Sequence, residues 1–329
     1  MKTISIFNQK GGVGKTTSVV NLAVALSKLD KKVLVIDFDP QANTTTGLGF
    51  DKNELEKSIY KMFYDEGDNY KDYILKSEEG PYLIASENSL SGLEVELVSL
   101  DEEERLKMLS QIIEEIKKDF DIILIDCPPS LGLLSLNALV ASDSIIIPIQ
   151  TEYYALEGVS ELLKTYQTIK ESIKEDLEIE GVLLCMFDKD TDLSYEVVEE
   201  VKSFFKEKVF STMIPRNIKL AEAPSFGKSV ISYDEKSKGA RAYLYLAKEL
   251  VENIFGKKEK NSKIEEKNDN LNNAEIKNSE KTKEINDEDS KVDKKIDKND
   301  KKENSDEAIV KKNKFSFNQN KLINNEKRD

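Results

Sequence analysis

The run Lys10-Gly11-Gly12-Val13-Gly14-Lys15-Thr16-Thr17 constrains the fold more than any other stretch of this chain. It follows an apolar, β-favouring segment, Ile4-Ser5-Ile6-Phe7. It precedes a helix-like segment, Ser18 to Ser27, with apolar residues at Val19, Leu22, Ala23 and Leu26. A strand, a glycine-rich turn and a helix, in that order, make an anion-binding cradle. Glycines let backbone N–H groups turn inward and come close to phosphate oxygens. The helix start adds unpaired N–H groups and the positive end of its dipole. Gly11, Gly12, Val13, Gly14, Lys15, Thr16 and Thr17 are therefore the expected nucleotide-binding residues. Lys15 is placed to reach the β- and γ-phosphates, and the Thr16 hydroxyl to ligate Mg²⁺.

The spacing departs from the P-loop pattern G-x-x-x-x-G-K-[ST]. Gln9 stands where its first glycine would be, and a second lysine, Lys10, opens the loop. One bound nucleotide, already met by Lys15 and Mg²⁺, does not require that extra charge. The sequence KGGVGKTT resembles the deviant Walker A motif of the ParA/MinD ATPases. The resemblance implies that Lys10 reaches across a dimer interface to the nucleotide of the other subunit, acting with Lys15 in hydrolysis.

Two further strands end in aspartate. Lys32 to Asp37 is a buried-type strand running into Asp37-Phe38-Asp39-Pro40-Gln41. Carboxylates at the C-terminal end of a central parallel strand face the ligand crevice. By spacing alone they also read as acids capping a strand or helix end. D-x-D-P-Q resembles the family's Walker A′ element. That implies a catalytic Asp39, which positions the attacking water and couples hydrolysis to dimerisation, and an Asp37 that assists the Mg²⁺ shell. The polar run Ala42 to Gly49 is expected to be a mobile loop. Phe120 to Asp126 has the Walker B arrangement, with Asp126 holding Mg²⁺ through water. Cys127-Pro128-Pro129-Ser130-Leu131-Gly132 resembles the family's switch II, placed to sense the γ-phosphate. Cys127 itself reads as a small packing residue.

Elsewhere strands alternate with helices. Short helices are expected over Leu55–Tyr64 and Tyr70–Leu75, and a strand over Tyr82–Ala85. A helix follows through Leu93 and Leu97, then a clear amphipathic helix from Glu102 to Lys118. Strands at Ser144–Ile149 and Glu180–Phe187 alternate with a helix ending near Ser172, one through Val197 to Phe205, and a last one from Gly239 to about Phe255. The pattern implies an α/β fold with a mostly parallel, twisted sheet covered by helices on both faces. The resemblance makes it a P-loop NTPase. Residues 212–227 read on their own as a Pro-containing loop. They also resemble the family's I-P-R-N…EAPS-x-G segment, which implies that Pro215 and Asn217 line the adenine.

Composition bounds the rest. The 329 residues carry two cysteines, far apart, and no histidine. This excludes a histidine general base, makes a disulfide framework or zinc site unexpected, and points to a reducing cytoplasm. The first strand begins almost at once, leaving no room for a signal peptide. No apolar run is long enough to span a bilayer. From Lys257 to Asp329 the chain is Lys, Asn, Asp and Glu with few aromatics, so this tail is expected to be disordered beside an ATPase domain over 1–256. A net charge of −14 argues against global coating of nucleic acid. Basic residues nevertheless gather late in the domain, at Arg216, Lys219, Lys228, Lys236, Lys238 and Arg241.

The resemblance covers about residues 1–255 and is nearest to short ParA proteins of the Soj type. It implies a DNA-segregating ATPase that binds ATP and Mg²⁺, forms a nucleotide-bridged homodimer, and binds double-stranded DNA at the nucleoid without sequence preference. A ParB-type partner is implied as the trigger of hydrolysis. Arg216, Lys219, Lys228 and Arg241 are the expected DNA contacts. Relatives usually carry an arginine where this chain has Asp190, beside Lys189. A MinD-like membrane cycle needs a C-terminal amphipathic membrane helix, and here a polar tail follows the last helix. A nitrogenase-reductase relative needs paired cysteines that Cys127 alone does not supply.

Overall fold

The computed structural model describes residues 1–256 apart from 66–68 and 153–154, all within the chain unit Met1–Glu265. The expected disordered tail lies outside the described residues. So do Tyr153 and Tyr154 at the entry to the helix that ends at Ser172.

Short, continuously apolar runs become strands buried on both faces. These are β1 (Lys2–Ile6), β2 (Val33–Asp37), β4 (Tyr82–Ile84), β5 (Ile122–Asp126), β6 (Ser144–Gln150) and β7 (Glu178–Cys185), with a two-residue β3 (Leu75–Lys76). They form one sheet in the order β3-β4-β2-β5-β1-β6-β7. All pairings are parallel except β3 with β4 at one edge. Side chains alternate between the faces, as the twofold strand period requires. In β5, Ile122 and Leu124 enter one apolar cluster while Ile123 and Ile125 enter the other.

Helices cover both faces. They are α1 (Lys15–Ser27), α2 (Asn43–Gly47), α3 (Ile59–Met62), α4 (Leu90–Leu97), α5 (Glu102–Ile116), α6 (Leu133–Val140), α7 (Ala155–Ser172), α8 (Asp192–Phe205), α9 (Ile218–Glu222), α10 (Val230–Tyr233) and α11 (Lys238–Val251). On one face Leu22 and Leu26 of α1 pack with Tyr243, Leu246 and Leu250 of α11. On the other, Leu109 and Ile113 of α5 pack with Leu134 of α6, and Val197 of α8 belongs to the same apolar layer. The apolar side of α11 is thus spent inside the fold. Among the described residues no helix is long and apolar enough to cross a membrane.

The sheet order reverses direction at β1. The chain leaves β1 towards β2 on one side, and β6 joins β1 on the other. Ligand crevices form outside the carboxyl ends of the strands at such a point. Register brings three of those ends together, Ile6 beside Asp126 and Asp126 beside Asp37.

Three local expectations differ from the structure. Residues 43–47 are helical rather than a mobile loop, because Thr44 and Thr45 are fully buried and their hydroxyls are consumed by carboxylates. The helix expected over 55–64 is only α3, started where the Ser58 hydroxyl accepts the Lys61 N–H. Strand β3 and helix α6 were not expected. The first is too short to show a period, and the second is too uniformly apolar.

Helix α2 is wedged against a neighbour by glycines. Gly227 has φ +62 and ends the turn Ala223–Phe226, against Gly49 at φ +91. A Cβ on Gly227 would meet the Gly49 Cα at 3.2 Å and the Thr46 carbonyl oxygen at 3.5 Å. Left-handed backbone costs a non-glycine residue about 1–2 kcal/mol. Gly227→Ala is therefore expected to destabilise the fold by at least that much, read as a lower Tm in thermal unfolding. An unchanged Tm would mean that the two turns separate freely.

Candidate nucleotide and metal site

The glycine-rich turn leaves β1 and enters α1 directly. Gly14 has φ +99, which frees its backbone to start the helix, and a Cβ there would lie 3.5 Å from the Cys185 Sγ. Asn8 fixes the approach: its amide donates to the Pro148 carbonyl at 2.8 Å while its Oδ1 accepts the Lys10 N–H at 3.0 Å. Lys15 is buried, and its ammonium donates to the Lys10 carbonyl oxygen at 3.1 Å, inside the loop. Burial lowers the pKa of Lys15, opposed by the nearby Asp126 carboxylate. The Lys10 side chain is exposed, beside Asn8, Val13 and Ile149.

Asp126, at the end of β5, is fully buried. Its Oδ2 accepts two hydroxyls, from Thr16 at 2.8 Å and from Thr44 at 2.7 Å. Its Oδ1 is buried with no hydrogen-bond partner. An orphaned carboxylate oxygen at that depth is costly unless a ligand meets it. Together with the Thr16 hydroxyl it offers the hard oxygen donors that Mg²⁺ takes. The residues present fit that ion. Burial raises the Asp126 pKa, with the Thr44 and Thr16 hydroxyls opposing.

Asp37 sits one strand away and is also fully buried. Its Oδ2 accepts both the N–H and the hydroxyl of Thr45 at 2.7 Å, and its Oδ1 accepts the Asp39 N–H at 3.3 Å. Each oxygen already has a protein donor, so Asp37 clamps the start of α2 rather than facing the crevice freely. Burial and the nearby Asp126 raise its pKa. Asp39 is 7 % exposed, and its Oδ1 accepts the Gln41 N–H at 3.0 Å. Ala42 takes φ 53 to turn the chain from Asp39 into α2.

Cys127 is fully buried, and burial pushes its thiol up to about 12, which keeps it protonated and unreactive. It packs as the sequence implied.

A pocket of about 200 Å³ opens on the other side of the loop, between Gly14 and Thr17 and the segment from Ile214 to Ala221. Pro215, Asn217, Cys185 and Met186 line it, an apolar slot of the kind that takes a planar base. Asn217 also starts α9, its Oδ1 accepting the Lys219 N–H at 3.0 Å.

The four expected DNA contacts differ in their surroundings. Arg216 is exposed and donates to the Glu152 carboxylate at 2.7 Å. Lys219 pairs with Glu222 at 2.8 Å. Lys228 and Arg241 are exposed. Lys189 pairs with Asp190 at 3.2 Å.

Sequence reasoning missed Asn8, Thr44 and Thr45. Asn8 carried a signal, a polar residue directly before the loop. The two threonines carried none, being submerged in a run of turn-forming residues.

A glycine loop between a central parallel strand and a helix, with a buried lysine and a threonine bonded to a strand-end aspartate, defines a P-loop nucleotide-binding protein. A family model described as an AAA domain matches residues 1–179. The chain is 50 % identical over 253 residues to the sporulation initiation inhibitor protein Soj of Bacillus subtilis, covering 77 % of this chain and 99 % of that protein. It is 46 % identical over 252 residues to the chromosome partitioning protein ParA of Myxococcus xanthus, covering 76 % and 88 %. The chain belongs to the Soj/ParA family of chromosome-partitioning ATPases. Among solved structures it resembles cobyrinic acid a,c-diamide synthase from Mycobacterium smegmatis with bound ADP and magnesium, with a TM-score of 0.67 and 32 % identity over 76 % of this chain and 94 % of that one. It also resembles a putative plasmid partition protein from Borrelia burgdorferi bound to AMPPNP, with a TM-score of 0.62 and 26 % identity over 78 % and 99 %.

Proposed function

We propose that this chain is a DNA-segregation ATPase whose Mg²⁺-ATP-bridged homodimer binds double-stranded DNA without sequence preference. A ParB-type partner stimulates hydrolysis and so releases it, in the cytoplasm at the nucleoid. The observation that carries the reading is the convergence, at the carboxyl ends of the central strands, of Lys15, the Thr16–Asp126 pair with its orphaned oxygen, and Asp39. The kinship to Soj and ParA supports the partitioning role.

The geometry and the family resemblance together support a division of labour. Loop amides and Lys15 take the phosphates, and the slot lined by Pro215 and Asn217 takes the base. Thr16 and Asp126 would hold the metal, which would supply neutralisation of phosphate charge. Asp37 anchors the A′ turn, and Asp39 orients water. The chemistry is phosphoryl transfer to water, achieved by positioning and charge neutralisation. Lys10 serves the second subunit.

DNA contact falls to Arg216, Lys219, Lys228 and Arg241. Two of these are held by surface carboxylates, and exposed pairs of that kind are weak enough for phosphate to displace. Doubling the patch in a dimer makes affinity depend on ATP. The test is DNA affinity across a salt series with a slowly hydrolysed ATP analogue, with and without the protein encoded beside this one. Arg216→Ala and Lys219→Ala are each expected to weaken binding on every sequence and to flatten the salt slope by roughly one unit. Unchanged slopes in both variants would place the DNA surface elsewhere.

A further inference from the structure

Two hydroxyls converge on one oxygen of Asp126, and only one belongs to the glycine loop. The Thr44 Oγ1 donates to Asp126 Oδ2 at 2.7 Å from helix α2, and the Thr16 Oγ1 donates to the same oxygen at 2.8 Å from the start of α1. Thr44 and Asp126 are both fully buried. The other carboxylate oxygen is left without a partner. With two donors fixed on Oδ2, the plane of the carboxylate is set and Oδ1 is held in one direction. With Thr16 alone, the group can turn about its terminal torsion, which is broad.

We propose that Thr44 is a positioning residue for the metal: its hydroxyl fixes the Asp126 carboxylate so that the orphaned oxygen presents to Mg²⁺. The inference rests on the reading of Thr16 and Asp126 as the metal's residues. It adds a link between the metal and the hydrolytic turn. Thr44 lies five residues after Asp39, and the neighbouring Thr45 is tied to Asp37 and to the Ser86 N–H. Asp126 thus grips α2 through the Thr44 hydroxyl, while the Asp126 carbonyl oxygen accepts the Phe38 N–H at 3.0 Å, so the segment that carries Asp39 is registered against the metal ligand at both ends. A threonine that merely filled space would need no hydroxyl, since its methyl group already meets the packing requirement.

The test uses the full chain and measures affinity for a fluorescent non-hydrolysable ATP analogue, with Mg²⁺ and with EDTA. Thr44→Val keeps shape and removes the donor. The expected result is that the gain in affinity given by Mg²⁺ falls by about tenfold or more, the loss that follows from deleting one hydrogen bond to a charged group. Affinity in EDTA should stay at the wild-type value, and Thr44→Ser should restore the Mg²⁺ gain. Hydrogen exchange at residues 43–47 should also quicken in Thr44→Val. Equal losses with and without Mg²⁺, no rescue by serine, or a Mg²⁺ gain equal to wild type would each overturn the role. A wild-type protein showing no Mg²⁺ gain at all would instead sink the assignment of Thr16 and Asp126, so the two failures are distinguishable.

Discussion

Asp39→Ala is expected to lower ATP turnover by about 100-fold or more, while Mg²⁺-ATP still binds and the dimer accumulates on DNA. Loss of a group that orients water in the transition state has that order of effect. The geometry separates the chemical loss from a folding loss. Helix α2 is anchored by Thr44 on Asp126 and by Thr45 on Asp37, and not by the Asp39 side chain. Among the described residues the Asp39 side chain accepts one hydrogen bond, from the Gln41 N–H at the adjacent turn, and its backbone bonds survive in alanine. Truncating it leaves the loop, the lysine and the metal residues in place. Asp39 is buried, at 7 % exposure, on the segment that leaves β2 beside Asp126. Single-turnover phosphate release, with nucleotide binding measured in parallel, separates the two effects. Turnover at the wild-type rate would remove Asp39 from the mechanism.

The fold was legible where burial forces a pattern. Strands β2, β5 and β6 are runs of Val, Leu and Ile with both faces covered, and such runs announce a parallel sheet. The amphipathic helix α5 announced itself through Leu109, Ile112, Ile113 and Ile116, all of which are buried. The loop residues 10–17 were legible because backbone geometry there demands glycine and the helix start attracts anions. Pattern failed in two physical situations. Helix α6 is apolar on nearly every side, so no face stands out. Residues 43–47 are polar for a reason invisible in one dimension: the Thr44 and Thr45 hydroxyls pair with strand-end carboxylates, one of which, Asp126, is 82 positions from Thr44. Buried polar pairs of this kind look like surface loop until the partner is known. The same limit applies to Asp37, whose type and place at a strand end suit a metal ligand, but whose oxygens both carry protein donors. Charge pairing was hidden in the same way. Arg216 and Lys219 stood out as cations, and only the fold reveals Glu152 and Glu222 beside them.

Lys10→Ala is expected to leave Mg²⁺-ATP binding by the single subunit within about threefold of wild type and to abolish ATP-dependent dimers. The first half follows from which atoms of Lys10 the subunit uses. Its carbonyl oxygen receives the Lys15 ammonium, and its N–H is held by Asn8. Both are backbone groups that alanine retains, so the cradle keeps its shape. The second half follows from what the side chain lacks. It is exposed, and among the described residues its ammonium makes no ion pair. In the proposed twofold dimer the opposing nucleotide gives this cation its partner. Twofold symmetry makes the loss count twice. Each charge-assisted contact is worth about 1.5–3 kcal/mol, so two together weaken the dimer by about 3–6 kcal/mol, or roughly 10²- to 10⁴-fold. That carries a micromolar dimer beyond the concentrations at which light scattering is run. Lys10→Arg keeps the charge and is expected to retain a measurable dimer fraction, whereas Lys10→Gln behaves as alanine. The measurement is the mass of the full chain by light scattering with a slowly hydrolysed ATP analogue, across a concentration series. Dimers of normal stability in Lys10→Ala would show that the lysine does not cross the interface.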